Sequence, residues 1–318
     1  MEKVKVEAPA SSANLGPGFD VFSLAFESPR DTVTLRRDDS SGGRKGGVRI
    51  GKLTGLEVPR SESENGACIV CSEMAKQFDV KVSLVLDLDK KVPIGRGMGS
   101  SGASAAAAAV AMNELLGLRL DQDELIFYAG KGEGATSGSR HYDNVAASIL
   151  GGFAVVRGGA GKPTATKFDP PPRLAVCVAT PSVDLPRRKT EYARSLIPAS
   201  IPFESVVANV ANASLMVAGM AKKDIGLIGR GMSDTIVEPA RKVMIPGYDL
   251  VKSLAMKAGA EGVCISGAGP SMLAIVDKKK SDPKKVLEAM QKAFEKSGVE
   301  SSGYVTKAGR GARVVKGN

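Results

Sequence analysis

A glycine-rich loop followed by an alanine-rich segment constrains this chain more than any other feature. The loop and the start of the segment read Pro93-Ile94-Gly95-Arg96-Gly97-Met98-Gly99-Ser100-Ser101-Gly102-Ala103-Ser104. Glycines at alternate positions let backbone N–H groups approach an anion closely, and Ser100 or Ser101 could cap a helix whose N-terminal dipole favours phosphate. The pattern predicts a strand, a phosphate-binding loop and a long helix that ends at Gly117.

This loop differs from the common nucleotide-binding fingerprints. No Lys-Ser or Lys-Thr pair follows its last glycine, and its spacing is not G-x-G-x-x-G. The alternative is a glycine-rich helix start that binds nothing. We favour a ligand site, because alternating glycines have a conformational cost that a bare helix start would not require.

Two further glycine loops are weaker signals when each is taken alone. Gly16-Pro17-Gly18 could be only a turn, and Gly267-Ala268-Gly269-Pro270 only a hairpin. Hydroxyl or amide side chains flank both loops, namely Ser12, Asn14, Ser266 and Ser271. Three converging loops would enclose a triphosphate and its acceptor.

Length and composition indicate a folded protein of two domains. The 318 residues are about twice a usual domain, with 43% hydrophobic and 25% charged residues. We find no stretch of ~20 strongly apolar residues and no signal peptide, so we expect a cytosolic protein without membrane contact.

The net charge of +10 indicates anionic ligands. Tryptophan is absent and aromatic residues are 4% of the chain, so the stacking residues typical of single-strand binders are scarce. We expect no nucleic-acid partner, although a basic nucleic-acid-binding protein stays an alternative. The basic clusters at 278–280 and 307–316 are interpreted as solvated surface and a frayed terminus.

The cysteines are interpreted as buried, reduced core residues. Cys68 and Cys71 spell C-x-x-C, but Cys177 and Cys264 stand alone and His141 is the single histidine of the chain. A zinc site would need further ligands at matching spacing. Residues three apart on a helix share one face, so packing explains the pair better than metal or redox chemistry.

Periodicity and turn signals predict an α+β chain. A strand at 4–8 is followed by a polar loop from Pro9, and Asn65 caps a helix at 66–78. The segment 158–172, rich in glycine, proline and lysine, marks a boundary between domains 1–160 and 161–318. The other predicted elements are strands at 31–36, 81–88, 152–157, 174–179, 262–265 and 272–276 and helices at 121–130, 201–221, 251–258 and 283–297.

Three motifs carry a family resemblance. The Pro-x-x-x-Gly-x-Gly-Ser-Ser loop at 93–101, with the segments 8–16 and 265–270, is similar in order and spacing to the motifs of the GHMP small-molecule kinases. Within that superfamily the segments 14–22, 137–146 and 238–241 resemble the homoserine kinases. The similarity runs from residue 4 to about 276. Arg96 and Gly102 depart from the pattern, since the family has residues such as serine and alanine there.

The resemblance implies the two-domain GHMP kinase fold, with an N-terminal α/β nucleotide-binding domain and a C-terminal ferredoxin-like α+β domain. It also implies transfer of the γ-phosphoryl of ATP to the hydroxyl of L-homoserine, with Mg²⁺, in a homodimer. Phosphoryl transfer needs positioning and charge neutralisation more than covalent help, which agrees with a glycine loop and a metal. The alternatives are a GHMP kinase for shikimate or mevalonate, and a non-catalytic ligand sensor.

The nucleotide side of the site follows from the same motifs. Ser101 and Glu133 match the magnesium positions, and Arg96 would either contact phosphate or point outward. Asn65 and Lys90 match positions near adenine and ribose, or are a helix cap and a surface residue. The remaining nucleotide-binding candidates are Pro93, Ile94, Gly95, Gly97, Met98, Gly99, Ser100, Gly102, Ala103, Ser266, Gly267, Ala268 and Gly269.

An amino-acid acceptor needs an anion for its ammonium group and guanidinium groups for its carboxylate. By resemblance, Asp20 takes the first role, and Arg194 and Arg241 the second. Asn14 and Asn144 would orient the hydroxyl, and His141 would line the pocket. The resemblance implies no dedicated aspartate base, so Asp20 is not given that role.

Overall fold

The computed structural model describes residues 2–38, 47–137, 141–159, 161–184, 186 and 188–315, with backbone alone at 135–137. Seven strands of this described part form the first sheet, in the order β11-β1-β2-β4-β3, with β5 beside β2 and β6 beside β5. Its pairs are antiparallel except for β3 and β4. The strands are β1 (Lys3–Ala13), β2 (Phe22–Arg37), β3 (Gly47–Gly55), β4 (Ser83–Lys90), β5 (Phe153–Arg157), β6 (Thr164–Phe168) and β11 (Arg313–Val314).

Helices α1 to α4 cover this sheet and place the glycine loop. They are α1 (Gly66–Gln77), α2 (Ser100–Leu116), α3 (Gln122–Ser137) and α4 (Asp143–Leu150). The alanines at 105–109 of α2 are fully buried, and their small side chains let α2 lie close to β1 and β2. The predicted N-cap of α1 is confirmed, because the Asn65 side chain accepts a hydrogen bond from the Cys68 N–H. The predicted C-cap of α2 is also confirmed, because Gly117 follows the helix in the left-handed conformation.

The second sheet is antiparallel, in the order β10-β7-β9-β8. With helices after the first and third strands in sequence, this is the β-α-β-β-α-β ferredoxin-like arrangement, so the expected α+β fold is confirmed. Its strands are β7 (Leu174–Pro181), β8 (Gly262–Ile265), β9 (Met272–Asp277) and β10 (Ser301–Thr306), and its helices are α5 (Lys189–Ser195), α6 (Phe203–Lys222), α7 (Ile225–Gly231), α8 (Val237–Arg241), α9 (Tyr248–Lys257) and α10 (Pro283–Lys296).

The first strand is longer than predicted. A polar loop was expected from Pro9, but β1 continues to Ala13 across a register shift between Pro9 and Ser11. Ser11 and Ser12 are fully buried in this extension, where their hydroxyls are hydrogen-bonded. The expected loop was wrong because polar side chains with buried partners read like loop residues in sequence.

The basic tail also departs from its prediction. The described part of the tail, up to Val315, is hydrogen-bonded to the first sheet and to α4 rather than frayed. The Glu27 N–H donates to the Lys307 carbonyl (2.9 Å), and the Ala312 N–H donates to the Ser148 carbonyl (2.7 Å). Strand β11 then pairs with β1, and β6 forms inside the segment expected to be a linker. Both strands lie after residue 160 in the sequence but belong to the first sheet. The division into domains 1–160 and 161–318 stays a prediction.

Other sequence-based expectations concern surface and core. Residues 278–280 are exposed, as predicted, and the four cysteines are buried and free. Helix α6 is long and apolar enough to cross a membrane by length and composition, and most of its residues are not buried in the described part of the protein. The absence of membrane contact therefore stays a prediction.

The segments 39–46 and 138–140, which include part of a family motif, lie outside the described residues.

Candidate active site

The glycine loop leaves the start of α2 open to an anion. The N-cap of α2 is Gly99, in the left-handed conformation (φ +60°), and no side chain caps the helix. The expected cap by Ser100 or Ser101 was wrong, because both lie inside the first turn and the Ser100 hydroxyl donates to the Val92 carbonyl (2.8 Å). An uncapped first turn presents backbone N–H groups to a ligand.

The three glycine loops meet, as the sequence predicted. The Ser266 hydroxyl donates to the Gly97 carbonyl (2.7 Å) and is hydrogen-bonded to the Ser12 hydroxyl (2.9 Å). The Asn14 amide donates to the Gly267 carbonyl (3.1 Å), and the Gly267 N–H to the Ala13 carbonyl (3.0 Å). The strand end at 11–14 therefore joins both other loops.

A cavity of about 660 Å³ lies where these loops meet. Most residues predicted from the sequence line it, on both the nucleotide side and the acceptor side. They are Asn14, Asp20, Asn65, Lys90, Ile94, Gly95, Gly97, Met98, Gly99, Ser100, Ser101, Glu133, His141, Asn144, Arg194, Arg241, Gly267 and Ala268.

The other predicted nucleotide-side residues do not line the cavity. Arg96 does not line the cavity: it is half-buried and donates to the carbonyls of Pro181 (3.4 Å) and Val183 (3.2 Å), so its contact with phosphate stays a prediction. Gly102 lies against α4, since a Cβ there would be 3.0 Å from the Asn144 Cβ. Pro93, Ala103, Ser266 and Gly269 are likewise outside the lining.

A buried ion pair anchors the loop beside the cavity. Lys90 is 3% exposed and pairs with Asp31, so the surface alternative for Lys90 was wrong. Its ammonium also donates to the Ser100 carbonyl (2.6 Å) and the Ser104 hydroxyl (3.0 Å). Burial lowers the pKa of Lys90, whereas Asp31 opposes that shift. The pair fixes the first turn of α2 to β2 and β4.

Glu133 places a carboxylate next to the first turn of α2. It lies on α3, is buried, lines the cavity and is hydrogen-bonded to Ser101. Burial raises the pKa of Glu133, with Ser101 and Lys90 opposing the shift. A carboxylate and a hydroxyl are hard oxygen donors, which fit Mg²⁺ that keeps several waters.

The acceptor end of the cavity carries paired opposite charges. Arg194 Nη2 donates to both carboxylate oxygens of Asp20 (2.9 and 2.7 Å) and lies 3.0 Å from His141 Nδ1. Burial raises the pKa of Asp20, but the bonds from His141 and Arg194 outweigh it, so the pKa lies below its usual value. Asp20 is therefore an anion at neutral pH.

Phe19 holds both arginines and was missed by sequence reasoning. The guanidinium carbons of Arg194 and Arg241 each lie 5.0 Å from the centre of its ring. Arg241 is 3% exposed and donates through Nε to the Ala193 carbonyl (3.0 Å). Burial lowers the pKa of Arg241 to about 10, which leaves it charged at neutral pH.

Two further charged residues of the cavity were also missed. Lys189 donates to the Gly269 carbonyl, and burial, together with Arg241 and Arg96, lowers its pKa to about 8. Burial, then the charge of Asp20, raises the pKa of Asp143 to about 6. A run of polar residues before a helix was the available signal for Asp143, whereas Lys189 lies in a segment without a motif.

Comparison with known proteins assigns the family. The models of the GHMP kinases N-terminal domain and of the GHMP kinases C-terminal region match residues 66–152 and 216–296. A homoserine kinase of Natronomonas pharaonis is 40% identical over 311 residues, covering 98% of this chain and 99% of the relative. The chain belongs to the homoserine kinase family of the GHMP kinases.

Other members of the homoserine kinase family agree over the full length. A homoserine kinase of Methanocella arvoryzae is 37% identical over 316 residues, covering 99% of this chain and 98% of the relative. The crystal structure of homoserine kinase from Cytophaga hutchinsonii superposes with a TM-score of 0.88 at 38% identity, covering 99% of this chain and 98% of that one.

Proposed function

We propose that this protein transfers the γ-phosphoryl group of ATP to the side-chain hydroxyl of L-homoserine, giving O-phospho-L-homoserine for threonine synthesis. We further propose that it acts in the cytosol as a homodimer. The observation that carries the proposal is one cavity with an uncapped helix start at one end and an Asp20–Arg194 pair at the other.

The paired charges favour an amino acid as acceptor. A zwitterion brings its own ammonium for Asp20 and its own carboxylate for Arg194 and Arg241, so Asp20 and Arg194 each exchange one opposite charge for another. Mevalonate and shikimate carry a carboxylate but no ammonium group. Binding either of them would separate Asp20 from Arg194 without replacing the partner of Asp20.

Catalysis then rests on positioning and electrostatics. The N–H groups of the first turn of α2 bind phosphate oxygens, and Asn14 and Asn144 orient the hydroxyl toward the γ-phosphoryl. Ser101 and Glu133 would hold Mg²⁺, which neutralises phosphate charge when it is bound. We assign no side chain as general base.

The acceptor preference tests the proposal. Purified protein with ATP and Mg²⁺ is assayed for ADP release with L-homoserine, mevalonate, shikimate or no acceptor. We expect strong stimulation by L-homoserine alone. Stimulation by another acceptor would keep the kinase and overturn the substrate, and no stimulation at all would favour a ligand sensor.

Gly97→Ala is expected to raise the KM for ATP at least about tenfold. Gly97 has φ +77°, and a Cβ there would lie 2.1 Å from the Ser266 carbonyl oxygen, so the phosphate-binding loop must shift. Gly117→Ala is the matched control, because Gly117 also has a positive φ (+66°) but its added Cβ meets nothing within 4 Å. The control should lower the melting temperature and leave KM unchanged; equal KM values for both variants would contradict the assigned loop.

Lys189 gives a pH prediction. Its ammonium is charged below a pKa of about 8 and neutral above it, so an anionic ligand loses attraction as the pH rises through 8. We expect kcat/KM to fall on the alkaline side with a midpoint near pH 8. Lys189→Arg should move that fall upward, because a guanidinium stays protonated. Identical alkaline limbs in both proteins would remove Lys189 from ligand binding.

A further inference from the structure

The motif at 238–241 contains a buried carboxylate that has no role in the site described above. Glu238 begins this motif, lies three residues before Arg241 on α8 and is 4% exposed. Residues three apart on a helix share one face, so Glu238 and Arg241 lie on the same side of α8. A buried carboxylate is costly unless it is paired and hydrogen-bonded, so its partners show what it holds in place.

Glu238 has partners on two other elements of the second half of the chain. Its Oε1 accepts from the Ile265 N–H (2.5 Å), at the last residue of β8. Its Oε2 accepts from the Tyr248 hydroxyl (2.7 Å) and from the Lys252 ammonium (3.1 Å), both on α9. Burial raises the pKa of Glu238, and these three donors oppose the shift. One side chain therefore joins α8 to β8 and to α9.

The bond to Ile265 closes a ring of contacts beside the acceptor end of the cavity. The loop that follows Ile265 contains Gly267, whose carbonyl accepts from Arg241 Nη1 (3.4 Å). This loop is itself fixed to β1, because the Gly267 N–H donates to the Ala13 carbonyl (3.0 Å). Helix α8 is thus attached to one end of a fixed loop through Glu238 and to the loop itself through Arg241.

Helix α8 needs such attachments. It has five residues, about one and a half turns, and a helix this short is not stable by itself. Asp234 caps its start by accepting from the N–H groups of Val237 (3.1 Å) and Glu238 (2.8 Å). The ion pairs of the described residues do not include Arg241. The place of its guanidinium in the cavity therefore depends on the backbone of α8 and on contacts with uncharged groups.

From these contacts we infer that Glu238 is a positioning residue, which holds α8 against β8 and α9 so that Arg241 faces the carboxylate of the acceptor. The inference rests on the proposed role of Arg241 at the acceptor site. Glu238 itself does not line the cavity, so it acts on the acceptor through Arg241 and not by contact.

A second buried carboxylate separates positioning from stability. Asp277 is 3% exposed, ends β9 and accepts from Arg173 Nε (2.9 Å). It lies at the opposite end of β9 from Met272, which is the residue paired with Ile265. Asp277→Asn and Glu238→Gln should both lower the melting temperature, whereas Glu238→Gln alone should change the acceptor site.

Initial-rate kinetics of the full chain test the inference. We expect Glu238→Gln to raise the KM for L-homoserine at least about fivefold and to leave the KM for ATP within about twofold. The amide keeps an acceptor for the Ile265 N–H, but it turns a donor toward the ammonium of Lys252, so α8 loses its bond to α9. Asp277→Asn should leave both KM values within about twofold of those of the parent protein.

A double variant tests whether the effect passes through Arg241. In the Arg241→Ala background, Glu238→Gln should change the homoserine KM less than about twofold, because the group that it positions is already gone. A full additional loss in the double variant would overturn the inference. So would equal increases of the homoserine KM in Glu238→Gln and Asp277→Asn, which would indicate a general loss of stability.

A measurement without substrates separates this inference from the proposed function. In ¹⁵N-labelled protein the Arg241 Nε–H, which donates to the Ala193 carbonyl, gives an NMR signal that Arg241→Ala removes. We expect its exchange with solvent to be at least about tenfold faster in Glu238→Gln and unchanged in Asp277→Asn. Faster exchange in a parent protein that phosphorylates another acceptor would support the inference while the proposed function fails. Parental exchange and a parental homoserine KM in Glu238→Gln would overturn the inference and leave the proposed function standing.

Discussion

Arg241→Ala should raise the KM for L-homoserine about 100-fold and leave the KM for ATP within about twofold. Truncating one partner of a buried charge pair costs enough binding energy for such a change. Arg241 is buried, stacked on Phe19 and held by the Ala193 carbonyl, so its guanidinium is fixed before the acceptor arrives. Initial-rate kinetics with each substrate varied in turn measure both constants.

Arg194→Ala is the comparison for that result. The side chain of Arg194 is 40% exposed, so solvent screens its charge and the expected increase in the homoserine KM is smaller, about tenfold. Parallel losses of ATP and homoserine affinity in Arg241→Ala would contradict the account. They would indicate that the change disturbs the Gly267 loop, to whose carbonyl Arg241 also donates (3.4 Å).

Glu133→Gln should lower kcat at least about 100-fold at saturating ATP and homoserine. The substitution keeps the shape of the side chain and removes the charge that would hold Mg²⁺ beside Ser101. Because the acid is buried, water replaces the lost charge poorly. Activity measured over a range of Mg²⁺ concentrations should need much more metal in the variant.

Glu64→Gln is the matched control for this loss. Glu64 also lines the cavity but is exposed, so its charge is screened and the expected change in kcat is within about twofold. If Glu133→Gln retained the parental kcat at the same Mg²⁺ concentration, the proposed metal position would be wrong. Equal losses in both variants would point to a general effect of the charge of the cavity.

Local signals in the sequence predicted the nucleotide end of the cavity well. Glycines that must adopt positive φ, the Asn65 cap and the end of α2 at Gly117 depend on a few neighbouring residues, which a sequence displays directly. The N-cap of α2 was the exception. Ser100 and Ser101 have the right chemistry for a cap, but Gly99 takes the position because the chain enters the helix left-handed.

Residues that act through distant contacts could not be found in this way. Phe19 matters because Arg194 and Arg241, far along the chain, stack on it. The pKa of Lys189 is lowered by burial and by two arginines from other segments. The short β11 has a basic, glycine-rich sequence that reads as a loose tail, and its pairing with β1 is decided by the edge of the first sheet. The resemblance to a family supplied the acceptor residues, which periodicity alone would not have grouped.

The most direct test of the central claim is the fate of the phosphoryl group itself. ATP labelled with ³²P at the γ position is incubated with the protein, Mg²⁺ and L-homoserine, and the products are separated by charge. The account predicts label in O-phospho-L-homoserine, equal in amount to the ADP formed. Label in inorganic phosphate alone, with homoserine unchanged, would contradict it.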